Sequence, residues 1–457
     1  MWQVGWNPIK GSEKMLGGEN MANQSASPDY TQTTPKLETG ARWYLVVLMA
    51  VGTMINYIDR VNFAVATPTL MKEFGLGTAE MGILMSAFFW SYTIAMLPSG
   101  YLLNKLGPKK VLGIAGVAWG AVTMLVAGCV GFYSFLALRI GLGVTEAPAF
   151  PANARVVSVW VPKRERTFAS SMYDASARAG GAFAPPIVAF IIAAWGWKMS
   201  FVVTGAMAVA WAIWWLLAYH EPADHPRISK SELDYIRQDE VITDEGTVHV
   251  EPISMTRLAR YPSILTAMLA YPFYLYIWTV FVYWIPTYLM KARGLSLKEM
   301  GIAASIPYIF AVCLELTGGK FFDAWYRKGA SITLLRRTGM GISMFGAAFF
   351  IWLCMRADTA FWAVFWLSAF AGIFAFGASN VWAIPSDLAP YGQAGGVGGV
   401  YNFVGNFGAL IAPMITGYLA ATKYGFNGAF AVCVAVAVLG GLLFVFNSYE
   451  RVKPKEA

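Results

Sequence analysis

About a dozen stretches of this chain stay apolar for the roughly 20 residues that a helix needs to cross a bilayer. Few folds accommodate such runs. A transmembrane barrel is built from ~10-residue segments of alternating hydrophobicity, whereas these stretches are continuous. A soluble enzyme of 457 residues would need a charged surface, and only 13 % of this chain is charged, against roughly 25 % in ordinary soluble domains. The chain therefore reads as an all-α polytopic membrane protein. Cys129, Cys313, Cys354 and Cys433 each sit in an apolar run without a close partner and read as small hydrophobes, not disulfides or metal ligands. His220, His225 and His249 share one hydrophilic segment, so proton chemistry within the membrane falls to carboxylates. No metal site and no cofactor is expected.

The spans are placed at 43–65, 82–104, 111–131, 133–154, 167–193 and 199–219, then 263–290, 300–323, 338–356, 359–385, 392–421 and 426–447. With both termini on one side, 24 of the 34 lysines and arginines fall on that side and 7 on the other, span-end residues being counted with the adjoining loop. The asymmetry predicts cytoplasmic termini and a cell (inner) membrane location, and it accounts for the net charge of +8 without nucleic acid. The domains follow: a cytoplasmic tail 1–42, a half 43–219, a cytoplasmic central loop 220–262, a second half 263–447 and a tail 448–457. Met21 is an alternative start. Ser229 and Glu232 have capping-box spacing, which predicts a short surface helix in the central loop.

The remaining three basic residues, Arg60, Arg139 and Arg178, lie within spans. Charges at that depth face a cavity or a partner. Asp59 and Arg60 are neighbours on one helix and point about 100° apart, so Arg60 can face a central cavity while Asp59 meets an adjoining helix. Arg139 and Glu146 share a face, about 10 Å apart along the axis. Asp174 and Arg178 are paired at i, i+4. Glu315 reads as one partner of an inter-helix pair. Spans five and eleven both fit Y-x6-G-x3-A-P, from Tyr173 to Pro185 and from Tyr401 to Pro413, and this repeat aligns Asp174 with Asn402 and Arg178 with Asn406. Two repeated halves with a site between them are a transporter plan. The aromatic run from Tyr271 to Trp284 reads as interface belt and packing.

GYLLNKLGPKK (100–110) resembles the loop 2–3 signature of the major facilitator superfamily, with Asn104 where that family usually has an acid; GKFFD, ending at Asp323, keeps the acid in the second half. NYIDRVNFAVA, SAFFWSYT and LRIGLGVTEAPAFPA resemble the anion:cation symporter family within it, which includes bacterial sugar-acid and organic-anion permeases and the sialin and vesicular glutamate branch. The resemblance covers residues 40–447 and implies twelve helices in two pseudo-symmetric halves. It implies proton-coupling roles for Asp59 and Glu146, and anion-site and coupling roles for Arg60 and Arg139. Tyr57 and Tyr92 lie in the matching motifs. Ser379, Trp382 and Asn402 fall where the family's second half contributes substrate contacts, and Asn406 joins them on the polar stripe. Arg178, with Asp174 as its accessory, is not part of the sugar-acid pattern and reads either as a local salt bridge or as a second cationic site favouring diacids.

The expected function is proton-coupled uptake, by a monomer, of a small organic anion. Sugar acids of the aldonate or hexuronate type come first, and tartrate- or phthalate-like diacids second. An uncoupled facilitator or exchanger is the main alternative; a membrane enzyme or a non-transporting sensor are the others. No phosphate-binding G-x-x-x-x-G-K-S/T occurs, since the GGK at 318–320 is followed by Phe321. The glycine-proline signature of drug:proton antiporters is replaced in span five by ARAGGAFAPP.

Overall fold

The computed structural model describes residues 38–162, 165–237, 254–258, 260–390 and 393–452. The tail before residue 38 with Met21, the segment around His249 and the last five residues lie outside the described residues. The first half comprises α1 (Ala41–Phe74), α2 (Thr78–Leu125), α3 (Phe132–Glu146), α4 (Ala149–Trp160), α5 (Arg166–Trp195) and α6 (Trp197–Ala218). Two short helices, α7 (Lys230–Arg237) and α8 (Met255–Leu258), lie in the connecting segment. The second half comprises α9 (Pro262–Lys291), α10 (Leu297–Arg327), α11 (Ile332–Met355), α12 (Ala360–Phe376), α13 (Ala378–Leu388), α14 (Ala394–Ala420) and α15 (Gly425–Phe446).

Among the described residues, ten helical runs are long and apolar enough to cross a bilayer. The run that contains α2 crosses twice. Gly107, at φ 75°, kinks it within the GYLLNKLGPKK motif, where sequence patterning predicts two separate helices. The short helices α3 and α4 together form one further crossing, broken at Ala147–Pro148. The protein is thus a multi-pass membrane protein of twelve spans. Span ten is broken at the corresponding place, between α12 and α13 at Gly377. Side chains such as Leu217 and Phe446, 73 % and 77 % exposed, form an apolar outer surface suited to lipid. Cys129, Cys354 and Cys433 are buried as expected, but Cys313 is exposed on that outer surface; all four are free.

The Y-x6-G-x3-A-P repeat has a packing cause. A Cβ on Gly180 of α5 would strike the Met54 carbonyl of α1, and one on Gly408 of α14 would strike the Pro272 carbonyl of α9. The same glycine in each half lets span five against span one, and span eleven against span seven. Small residues also join the halves. Gly82 of α2 lies against the backbone of Pro413 in α14, Gly417 lies against Thr78, and the Met414 amide donates to Ser86 Oγ at 3.1 Å. Gly301 of α10 packs on Pro185 and Ala189 of α5. These contacts seal the bundle at the end that carries the α1–α2 connection.

The connecting segment is more than a linker. Ser229 Oγ accepts from the Glu232 amide at 3.2 Å, half of the expected capping box. The Glu232 carboxylate does not reach back to Ser229. It is fully buried and accepts instead from Thr39 Oγ1 (2.6 Å), the Ala41 amide (2.9 Å), the Arg42 amide (3.1 Å) and Arg42 Nη1 (3.0 Å). A carboxylate at the N-terminus of α1 satisfies orphan amides and complements the helix dipole. Arg42 also donates to Glu165, so one guanidinium bridges two carboxylates.

Gly408→Ala should cost about 1–3 kcal/mol through overpacking, because backbone occupies the space the new methyl needs. Gly319→Ala, where nothing lies within 4 Å of the new carbon, is the control. Thermal unfolding in detergent should show a lowered midpoint for the first and a level or raised one for the second; equal midpoints would refute the close-approach role.

Candidate functional site

Arg60 and Glu146 meet across two helices. Arg60 Nε donates to Glu146 Oε2 at 2.8 Å, and the Glu146 side chain is fully buried at the end of α3, beside the break before Pro148. Sequence spacing put Glu146 on the same face as Arg139, but its partner is Arg60. Rings surround the guanidinium: its central carbon lies 5.3 Å from the Tyr57 ring, 5.0 Å from Phe88 and 4.9 Å from Tyr92. Such contacts hold a cation at low desolvation cost. Arg60 Nη2 has no hydrogen-bond partner among the described residues, so the group keeps a donor free.

Asp59 points away from Arg60, as neighbouring helix positions require. Its Oδ2 accepts from Trp119 Nε1 of α2 at 3.1 Å. Arg139 lies behind the cavity wall. Its Nε donates to the Leu84 carbonyl at 3.1 Å, and its guanidinium is enclosed by Phe63 (4.4 Å), Phe88 (4.9 Å) and Tyr283 (5.9 Å). Phe88 is therefore shared by two arginines.

A central cavity of about 700 Å³, open space at its mouth included, lies between the halves. Of the residues singled out from sequence, Tyr57, Arg60, Tyr92, Asp174, Trp382, Asn402 and Asn406 line it together. Asp59, Glu146, Arg139 and Arg178 do not reach its surface. Ser379 lies in α13, and its side chain is outside the described residues. Asn406 Nδ2 is satisfied by the Asn402 carbonyl at 2.8 Å, while the Asn402 side chain faces the cavity.

The reading of span seven as belt and packing is corrected here. Tyr271, Trp278, Thr279 and Tyr283 of α9 form one wall of the cavity, and Tyr271 stacks on Tyr401 of α14 at 4.1 Å between centroids. Hydropathy cannot separate rings facing a cavity from rings facing lipid. The signal available was position: span seven is the repeat equivalent of span one, which carries Tyr57 and Arg60. Phe89 and Phe150 complete the lining from the first half.

Arg178 bonds in two directions. Its Nε is paired with Glu315 of α10, in the other half, and its Nη2 lies 3.8 Å from Asp174 Oδ2. Its guanidinium carbon is 5.2 Å from the ring of Trp278 on the cavity wall. Among the described residues no group of three or more His, Cys, Asp and Glu is arranged to hold a metal.

With the fold and cavity in place, similarity to known proteins gives the class. The profile described as Major Facilitator Superfamily matches residues 49–335 and 329–457. A probable galactarate/D-glucarate transporter of Bacillus subtilis is 32 % identical over 445 residues, covering 94 % of this chain and 97 % of its own. A D-galactonate transporter of Escherichia coli O6:H1 is 33 % identical over 423 residues, covering 89 % and 95 %. The crystal structure of a bacterial homologue of the human lysosomal transporter Spinster, inward-facing and occupied, superposes with a TM-score of 0.71 at 16 % identity, covering 89 % and 96 %; this likeness concerns the fold alone. The chain belongs to the major facilitator superfamily of membrane transporters.

Arg60→Gln leaves Glu146 buried without its partner and should destabilise the protein by about 3–5 kcal/mol at neutral pH. The double variant Arg60→Gln/Glu146→Gln should recover most of that loss. Thermal unfolding of the wild type, Arg60→Gln, Glu146→Gln and the double variant tests this; additive losses would mean that the pair is not coupled.

Proposed function

We propose that this protein is a proton-coupled importer of a small organic anion, a sugar acid in the first instance, working by alternating access. The observation that carries the reading is the buried Arg60–Glu146 pair, with Arg60 on the cavity surface and Glu146 behind it. An arriving carboxylate competes with Glu146 for the guanidinium, whose planar fork suits it. Glu146 exchanges its arginine for a proton, so that anion and proton bind with mutual assistance, as linkage requires. Asp59, with one oxygen unpartnered among the described residues, is the second proton site. Tyr57, Tyr92, Trp382, Asn402 and Asn406 surround the anion, and the amides and hydroxyls suit a polyol chain. The relatives named for galactarate, glucarate and galactonate support this substrate class.

Charge balance supports coupling to more than one proton. At membrane depth Arg60, Arg139 and Arg178 face Asp59, Glu146, Asp174 and Glu315. Fully ionised, that set carries one net negative charge, and an anion adds another. Two protons with a monoanion make the loaded site neutral, and the cycle then moves one positive charge inward. An inside-negative potential favours that movement by about 2.3 kcal/mol per 100 mV, whereas it opposes an uncoupled anion by the same amount. The excess of lysine and arginine on one side supports cytoplasmic termini and a cytoplasmic-membrane location. In that orientation the sealed end of the bundle is external and the cavity faces inward.

Proteoliposomes given a panel of aldonates, hexuronates and diacids should accumulate one class when the lumen is alkaline, more so with an inside-negative potential. Asp59→Asn and Glu146→Gln should abolish accumulation, and Asp59→Asn should retain exchange of labelled for unlabelled substrate. Uptake that only equilibrates, indifferent to both gradients, would favour the facilitator or exchanger.

A further inference from the structure

We propose that Arg178 is a second anion subsite, held by Glu315 in the unloaded carrier and released to a substrate's distal carboxylate when Glu315 takes a proton. The inference rests on the organic-anion reading and narrows it toward diacids, which carry a carboxylate at each end.

The geometry repeats that of Arg60 and Glu146. In each case a buried arginine uses its Nε on a carboxylate from a neighbouring helix, next to the same cavity. Arg178 reaches the cavity's edge through two of its contacts: Asp174, 3.8 Å from its Nη2, and Trp278, whose ring lies 5.2 Å from its guanidinium carbon, both line the cavity. The Trp278 face can hold the cation as its carboxylate partners change. Tyr57, whose ring lies 5.3 Å from the Arg60 guanidinium carbon, lines the same cavity. Arg60 lies on the cavity surface and Arg178 behind Asp174 and Trp278 of the same cavity, so the two can act as anchors for one elongated dianion.

The charge count explains the gate. Asp174 and Glu315 share a single guanidinium, so the ionised triad is net negative at membrane depth, where an unbalanced charge is costly. A proton on Glu315 removes the imbalance and frees Nε. Among the described residues, the charged or titratable groups that act on Glu315 from other helices are Asp174 and Arg178 on α5 and Tyr274 on α9. The α12 segment packed on α10 contains no ionisable residue. On α11 and α13, Arg336 and Asp387 are occupied with each other at 2.7 Å. Because Glu315 belongs to the second half, a diacid that takes Arg178 also breaks a tie between the halves. Loading is thereby linked to the movement that carries the substrate across.

The test compares a six-carbon diacid with the matching monoacid, galactarate against galactonate, on the full-length protein. Half-saturation in proteoliposome exchange and ligand-induced thermal stabilisation in detergent are measured from mildly acidic to mildly alkaline pH, where both substrates stay ionised. In the wild type, the ratio of diacid to monoacid affinity should rise as pH falls. Glu315→Gln, an isosteric change, should make the ratio insensitive to pH and raise it about tenfold at the alkaline end, the effect of one added charge-assisted contact. Arg178→Gln should lower the ratio about tenfold, and adding Glu315→Gln to it should change nothing more. Thermal stabilisation reports binding even where a variant does not transport. A ratio unmoved by either variant, or lowered by Glu315→Gln, overturns the subsite and leaves the organic-anion reading intact. Failure of the wild type to bind either acid overturns both.

Discussion

A charged side chain in the hydrocarbon layer persists only if something nearby cancels it, and this constraint organises the site. Each arginine at that depth is provided for differently. Arg60 has Glu146, Arg178 has Glu315 and Asp174, and Arg139 has a backbone carbonyl and a cage of three rings. In the first two the arginines lie at or next to the cavity, which is why the proposed mechanism exchanges their partners for a ligand. The third is closed off. Arg139 is a buried cation that shares the Phe88 ring with Arg60.

The same constraint ties chemistry to movement. The halves touch through small residues and backbone at the sealed end, where Gly82, Gly417 and Gly301 let helices approach without interlocking side chains. Such surfaces separate with little loss of specific bonding. Deeper in the bundle the ties become polar: Arg178 with Glu315, and Asn406 with the sulfur of Met96 at 3.9 Å. On the proposed mechanism the polar ties are the ones that ligand and proton exchange, and the glycine contacts follow. The breaks at Ala147–Pro148 and Gly377 fall in corresponding spans of the two halves, and the first places Glu146 at a helix end. A carboxylate there can shift without dragging a whole helix.

Much of this was legible in the sequence because membrane constraints are severe. Span number followed from length and apolarity, and the divergent directions of Asp59 and Arg60 from helical geometry. The repeat motif located Asp174, Asn402 and Asn406, all on the cavity. Partner choice was not legible. Glu146 is seven residues from Arg139 but bonds Arg60, because contacts between helices depend on which faces pack, and spacing along one helix is silent about that. Glu315 was expected to pair between helices, and its pairing with Arg178 emerges only when α5 and α10 are laid together. Span seven was misread because aromatic rings have the same hydropathy whether they meet lipid, protein or ligand. Glu232 was misassigned for a related reason: capping-box spacing describes one helix, while its carboxylate serves the start of another.

The repeat also shows how the halves came to differ. At matched positions the first half carries Asp174 and Arg178 where the second carries Asn402 and Asn406. Arg60 and Tyr57 of α1 face Tyr271, Trp278 and Thr279 of α9 across the cavity. One half thus contributes charge and the other contributes amides, a hydroxyl and rings. A sugar acid is divided in the same way, with its carboxylate at one end and hydroxyls on a carbon chain along the rest. Hydroxyls bond amides and stack their C–H faces on rings; carboxylates seek guanidinium. On the proposed reading, a substrate lying across the interface joins the two chemistries only when both halves close on it, so recognition and closure become one event. A diacid places a second carboxylate against the same charged half, and there Arg178 differs in kind from its counterpart Asn406.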